Sequence, residues 1–526
     1  MNEDVGVGTG DASATPLGAA GTDRDTGVPA EWAPALAELE RRRAAAHAMG
    51  GAERVERLMA ARGKLDARAR LDALFDPGTF VELGTLVGGP DLPGDALVAG
   101  FGDVDGRVVL AAAEDFTVQG GSIGRDSAAK RYRVVQLAAQ ERVPLVFLLD
   151  GAGHRLTAGE APARTPGDLL ALADLSGRVP MVCLVLGASA GHGALAAPLS
   201  DFVVMTAHGA LFTGGPPLVK AAIGEDVTKE ELGGPAVCEP AGTVHRVVGT
   251  DAEALMLARR YLSYLPSHAG GAVPVVTGPQ GTGDGEGGAG ADAGADTGPR
   301  RLDDLLSVVP VSDRRPYRMV DVLERLVDAG SLFEIQPGYG RSLVCALARI
   351  GGRSVALVAN DPSVRAGTID RDAAIKGADF LTSVGAFGLP VVFLADNPGV
   401  LAGTQAERDG ILKWAGRMFQ AERRLTGPKI HVTLRKAFGF GSTVMGHNPF
   451  DHQTTTFAFP NVTMSSMPAG PGGASAGLDA DEQARVEAAQ AAGVWRMASS
   501  MGVDEVIDPR DLRNAILSAL HLAAHR

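Results

Sequence analysis

Two stretches of this chain repeat one order of elements, and that order dictates the fold class. Each reads as strand, helix, short apolar strand, glycine-rich turn, helix, strand, glycine-rich turn. In the first, Val108–Glu114 is a strand and Ser127–Glu141 a helix. Leu145–Leu149 is a continuous apolar run closed by Asp150-Gly151-Ala152-Gly153, and Met181–Leu186 runs into Gly187-Ala188-Ser189-Ala190-Gly191-His192-Gly193. In the second, Val355–Asn360, Arg371–Ala386 and Val391–Leu394 lead to Ala395-Asp396-Asn397-Pro398-Gly399. A long helix over Gln405–Arg424 and the strand Ile430–Leu434 then lead to Gly439-Phe440-Gly441-Ser442. Gly153 to Gly191 spans 38 residues and Gly399 to Gly441 spans 42. Short apolar runs without polar alternation are strands covered on both faces. The repetition predicts one α/β domain duplicated within the chain.

The rest of the chain frames these halves. Residues 1–30 are acidic and rich in Gly, Ala and Thr, the composition of a disordered tail. Leu36, Leu39, Leu58 and Leu65 sit among Glu and Arg between Glu31 and Ala73, which predicts an amphipathic helical arm. Leu97–Gly102 and Val108–Glu114 flank Asp105-Gly106, a hairpin signal. Gly278–Gly298 is mostly Gly, Asp, Ala and Thr and reads as a flexible linker. The expected division is therefore tail 1–30, N-terminal domain 31–277, linker 278–300 and C-terminal domain 301–526.

Charge and motifs exclude several functions. The net charge is −13, which argues against a coat for nucleic acid or an anionic membrane. Cys183, Cys238 and Cys345 stand far apart, so neither a disulfide framework nor a thiolate metal site is expected. No apolar run reaches membrane-spanning length, and the N-terminus lacks a signal-peptide pattern, so cytoplasm is the default. Gly120-Gly121-Ser122-Ile123-Gly124 is not a dinucleotide fingerprint, and no phosphate-loop motif is present. Ser189 lies in Gly-Ala-Ser-Ala-Gly, not in a nucleophile elbow. His154, His192, His447 and His452 lie near the turns, where a histidine either transfers a proton or bonds a carbonyl. Lys130, Arg131 and Arg133 read as a solvated helix face, with phosphate contact as the alternative.

Strand ends of a parallel sheet are where ligands sit. A glycine-rich turn exposes backbone N–H groups there, and two of them aimed at one point stabilise an oxyanion, each contributing about 3–4 kcal/mol. A thioester enolate or a ureido oxygen would be a suitable guest.

Several segments together resemble the carboxyltransferase (beta) subunit of biotin-dependent acyl-CoA carboxylases, such as propionyl-CoA carboxylase. They are Arg62-Gly63-Lys64-Leu65 with Leu74–Glu82, Phe116–Gly124, Asp150–Arg155, Ala190–Ala194, Val227–Gly234, Ala366–Asp370, Asp396–Gly403 and Arg435–Gly439. The resemblance implies two tandem crotonase-like (ββα spiral) domains, with acyl-CoA on the N-terminal one and biotin, carried by a partner protein, on the C-terminal one. It implies a hexamer, a biotin carboxylase/biotin carboxyl carrier (alpha) subunit as partner, and no metal. It places one oxyanion hole on Ala152 and Gly153 and the other on Phe440 and Gly441. Gly121, Ser122, Arg155, Gly191, His192, Gly193 and Thr443 fall among substrate-binding positions. Biotin itself is thought to take the alpha proton, so no protein base is required. The sequence departs from the family at Phe440, Thr443, Gly446–Gln453 and Asn461–Gly470. A decarboxylase subunit and a non-catalytic scaffold subunit are the alternatives.

Overall fold

A computed structural model describes residues 29–155, 167–276, 297–491 and 493–524. The expected disordered tail up to residue 28 and most of the expected linker lie outside them.

Helices α1 (Ala33–His47), α2 (Ala52–Leu58) and α3 (Ala67–Leu74) form the arm. One continuous helix is not possible here, because Gly51 (φ 90°) and Gly63 (φ 68°) turn the chain between them. The first sheet then runs β1 (Val81–Leu83), β2 (Leu97–Val104), β3 (Arg107–Glu114), β4 (Leu145–Gly151), β5 (Met181–Ala190), β6 (Phe202–Thr206) and β8 (Arg246–Val248), with β7 (Ala210–Phe212) beside β5. β1, β2 and β3 are antiparallel, and the strands after β3 add in parallel. Asp105 (φ 51°) and Gly106 (φ 72°) make the tight hairpin between β2 and β3. Helices α4 (Arg125–Glu141), α5 (Asp168–Leu175) and α6 (Gly191–Ala194) fill the crossovers.

The second sheet repeats this plan with β9 (Phe333–Ile335), β10 (Leu343–Ile350), β11 (Arg353–Asn360), β12 (Val391–Asn397), β13 (Lys429–Phe438), β14 (Thr455–Ala458) and β16 (Glu505–Val506), and with β15 (Thr463–Ser465) beside β13. Helix Arg371–Ala386 matches α4. The long helix expected over 405–424 is instead two, Thr404–Arg408 and Ile411–Arg423, separated where Gly410 takes φ 76°. The expectation of a solvated Lys130/Arg131 face also fails. Both are buried, Lys130 on the Leu97 carbonyl and Arg131 between two carboxylates, and only Arg133 faces solvent.

Strand register fixes how the halves correspond. Gly151 pairs with Ser189 as Asn397 pairs with Ala437. Gly153 therefore matches Gly399, and Gly191, His192 and Gly193 match Gly439, Phe440 and Gly441. The backbone agrees, since Gly191 has φ 54° and Gly439 φ 53°. One apolar cluster, holding Phe202, Tyr261, Phe333 and Phe393, joins the halves, and each half has a further cluster of its own.

Candidate active site

The carboxyl ends of β4 and β5 meet the turn that links β3 to α4 and the start of a short helix. Gly121 (φ 65°) lies so close to β4 that a Cβ there would sit 2.3 Å from the Asp150 carbonyl oxygen. Ile123 donates to the Gly153 carbonyl and accepts from Arg155, both at 2.7 Å, so the turn after β4 is laced to the turn before α4. Ser122 Oγ donates to the Gln119 carbonyl and accepts from Arg155 Nε. The Arg155 guanidinium also holds Asp95 at 2.6 Å and the Ser122 carbonyl at 2.8 Å. It is a brace within the protein, with all three of its nitrogens engaged.

Ala152 does not fill the expected role. Its N–H donates to the Gly120 carbonyl at 2.9 Å and is spent there. The Gly153 N–H has no acceptor among the described residues. In the other half Gly399 N–H is taken by Asn397 Oδ1 at 3.0 Å, and Gly151 offers no such side chain to Gly153. The counterpart of Phe440-Gly441 is His192-Gly193, at the first turn of α6. First-turn N–H groups have no acceptor within their own helix, and those of His192 and Gly193 have none among the described residues. Gly153, His192 and Gly193 are thus the free amides of the N-terminal site.

The C-terminal site is built on helix Gly439–Val444, which follows β13 directly. A Cβ on Gly441 would lie 2.4 Å from Asn397 Oδ1 and 2.7 Å from Gly399 Cα, so only glycine lets this amide run beside the neighbouring turn. Phe440 is partly exposed and packs edge-on against Phe419, with ring centroids 5.6 Å apart. Thr443 is half-buried on the same helix. His447 is half-buried, 5.3 Å ring to ring from His431, and burial lowers its pKa to about 4. His452 is exposed at φ 61°.

Charges beneath both sites are buried in pairs. Asp150 holds Lys64 and Arg70 of the arm. Asp396 holds Arg435 at 2.6 Å and accepts from Tyr317 at 2.8 Å. Sequence reasoning singled out His192 but missed its partners. His192 Nε2 donates to Asp168 Oδ1 at 2.5 Å. Burial would raise the Asp168 pKa, but the His192 hydrogen bond and the Arg131 charge lower it to about 2. Burial pushes Glu114 the other way, upward, against the pull of Arg131. Among the described residues no cluster of three or more metal-ligating side chains occurs, and no helix is long and apolar enough to cross a membrane.

Two crotonase-like domains with free amides at their strand ends define a class, enzymes that hold a developing oxyanion on a carbonyl substrate. The carboxyl transferase domain model matches residues 59–526, and the chain belongs to that family, whose members carry the carboxyltransferase step of biotin-dependent carboxylases. It is 35% identical to the methylmalonyl-CoA carboxyltransferase 12S subunit of Propionibacterium freudenreichii subsp. shermanii, over 93% of this chain and 94% of that one. It is 34% identical to the methylmalonyl-CoA decarboxylase subunit alpha of Veillonella parvula, over 93% and 95%. Among solved structures it resembles a transcarboxylase 12S hexamer with methylmalonyl-coenzyme A and methylmalonic acid bound, at TM-score 0.84 and 33% identity, covering 94% of this chain and 96% of that one. The family resemblance read from the motifs is borne out.

Proposed function

We propose that this chain is the carboxyltransferase subunit of an acyl-CoA carboxylase, with acyl-CoA bound at the N-terminal half and the biotin of a separate carrier at the C-terminal half. The observation that carries this reading is the pair of corresponding helix starts, His192-Gly193 and Phe440-Gly441, each with amides that have no acceptor among the described residues. A thioester oxygen gains charge when the alpha carbon loses its proton. The Gly153, His192 and Gly193 amides are already oriented to hold that charge, so no solvent reorganisation is needed. The Phe440 and Gly441 amides suit the single oxygen of a ureido ring, and the Gly441 cradle admits a flat group. Carboxybiotin, when bound, supplies the activated carboxyl group. The chain's own residues bind, orient and hold negative charge at two points. Hexamers are the proposed assembly, by likeness to the 12S structure, and the biotin carboxylase/biotin carboxyl carrier subunit is the proposed partner.

Similarity to a decarboxylase subunit supports a second direction, removal of the carboxyl group from an acyl-CoA, which the same site would catalyse. The test incubates the purified chain with malonyl-CoA or methylmalonyl-CoA, with and without free biotin, and follows the CoA species by mass spectrometry. Biotin-dependent loss of the carboxyl group is expected, and the preferred thioester reports the acyl size. Absence of both transfer and acyl-CoA binding would overturn the reading in favour of a scaffold subunit.

A further inference from the structure

The two halves share a backbone but not a set of polar groups. Register places Glu114 opposite Asn360, Arg131 opposite Gly377 and His192 opposite Phe440. In the N-terminal half His192 Nε2 donates to Asp168 Oδ1 at 2.5 Å, Arg131 Nε donates to Asp168 Oδ2 at 2.7 Å, and Arg131 Nη1 donates to Glu114 Oε1 at 2.9 Å. Asp168, Arg131 and Glu114 are buried, while the His192 side chain is 29% exposed. Burying three ionisable groups costs free energy that such pairs often fail to recover. The C-terminal half builds the same strands and helix with Asn360, Gly377 and Phe440, so the fold does not require the network. Its effect is to fix one ring. Asp168 takes the hydrogen on Nε2, which leaves the neutral imidazole with its lone pair on Nδ1. Nδ1 has no partner among the described residues and is not one of the buried unpaired atoms, so it is the open edge of the ring.

That lone pair belongs to a residue whose N–H is one of the three free amides of the N-terminal site. A thioester oxygen held by the His192 N–H is separated from a substituent on the alpha carbon by the carbonyl carbon and the alpha carbon alone. Nδ1 is separated from the same N–H by Cα, Cβ and Cγ. Substituent and ring nitrogen therefore extend over similar distances from one hydrogen bond. The other polar side chains of these turns are not poised in this way. Ser122 and Arg155 are spent on each other, on Asp95 and on the Gln119 carbonyl. His154 lies 6.4 Å away ring to ring and is exposed, with no contact among the described residues that holds its ring in one tautomer.

We propose that His192 Nδ1 accepts a hydrogen bond from a hydroxyl on the alpha carbon of the acyl group, which makes the N-terminal site selective for hydroxyacyl-CoA thioesters over alkyl ones; this rests on the acyl-CoA reading above. The imidazole binds and orients, and it moves no proton. A hydroxyl and a methyl group are close in size, so the ring discriminates by bonding and not by bulk. Without an acceptor a hydroxyl that leaves water is disfavoured. Phe440, at the corresponding position of the C-terminal half, has no acceptor to offer.

The experiment compares glycolyl-CoA with propionyl-CoA, which carries a methyl group where glycolyl-CoA carries the hydroxyl. Their affinities for the full chain are measured by calorimetry, with biotin-dependent decarboxylation of malonyl-CoA in parallel. Glycolyl-CoA is expected to bind about 3- to 10-fold more tightly, the range of one neutral hydrogen bond. Biotin-dependent decarboxylation should favour tartronyl-CoA over methylmalonyl-CoA in the same sense. His192→Phe, which copies the residue of the other half, should bring the affinity ratio to one or reverse it. The ratio is the readout, because the amide of this residue also belongs to the site. A wild-type ratio at or below one, with malonyl-CoA decarboxylation intact, would overturn the proposal and leave the function standing, and it decides even without the variant. An unchanged ratio in His192→Phe would do the same. Failure of the wild-type chain to bind either thioester and to move carboxyl groups would remove both.

Discussion

His431 is fully buried, with Nδ1 donating to the Met445 carbonyl and Nε2 accepting from Thr433 Oγ1. Burial, helped by the neighbouring His447, lowers its pKa to about 3. In the unfolded chain a histidine titrates near 6.5. Between about 6.5 and 3 the unfolded state therefore binds a proton that the folded state refuses. The stability His431 contributes is fully present above 6.5 and is lost as pH falls through that window, at about 1.4 kcal/mol per pH unit. His431→Gln removes this slope. The difference in urea-unfolding free energy between wild type and variant should shrink from pH 6.5 to 4.5, and a constant difference would show that His431 is not held neutral. At this scale the sequence was readable where a motif carried the residue. Phe440 and Gly441 follow directly from the Arg435–Gly439 segment. Asp168 was not readable, because a carboxylate 24 residues before His192 becomes its partner only through the α5 crossover. Ala152 was misread because nothing local shows that the Gly120 carbonyl takes its N–H.

Among the elements, the strand-to-helix turn before α4 and its counterpart before helix Arg371–Ala386 are the parts that close each site. Gly121 and Gly367 have φ 65° and 79°, and a Cβ on either would meet the Asp150 or Asp396 carbonyl oxygen at 2.3 Å. Backbone is in the way, so no side chain can yield. Gly120 also has positive φ, 62°, but nothing lies within 4 Å of its Cβ position, and its counterpart Ala366 holds φ 56° with a real Cβ. Gly120→Ala should therefore cost about 1 kcal/mol, while Gly121→Ala adds about 1–3 kcal/mol of overpacking and weakens acyl-CoA binding. Thermal unfolding of the two variants decides it, and equal costs would refute the close approach. The strand cores were legible from their apolar runs. Their ends were not: β5 continues through Gly187–Ala190 and β13 through Arg435–Phe438 because β7 and β15 pair with those last residues. A polar or glycine-rich strand end gives no periodic signal when a neighbour, not the core, holds it.

For the whole molecule, the composition of residues 278–298 suggests two separable domains, but the packing joins them. Phe202 stacks on Tyr261 with centroids 4.5 Å apart and meets Phe333 of the other half at 5.5 Å. Tyr264 Oη donates to the Ser331 carbonyl at 2.6 Å, and Ser383 Oγ donates to Asp201 at 3.0 Å. This seam is invisible in sequence because strands that are apolar on both faces do not say which face meets a helix and which meets the other half. A seam inside one shared apolar cluster couples the two unfolding equilibria, since opening either half strips cover from the other. Calorimetry of the full chain should then show one transition. Phe202→Ala removes the ring that touches both halves and should cost about 3–5 kcal/mol, the range for a buried phenyl group. If the halves unfold as one, that loss moves the single transition to lower temperature without splitting it. Two resolved transitions in the wild-type chain would mean that the seam does not couple the halves. A split that shifts only the N-terminal transition in the variant would confine the role of Phe202 to its own sheet.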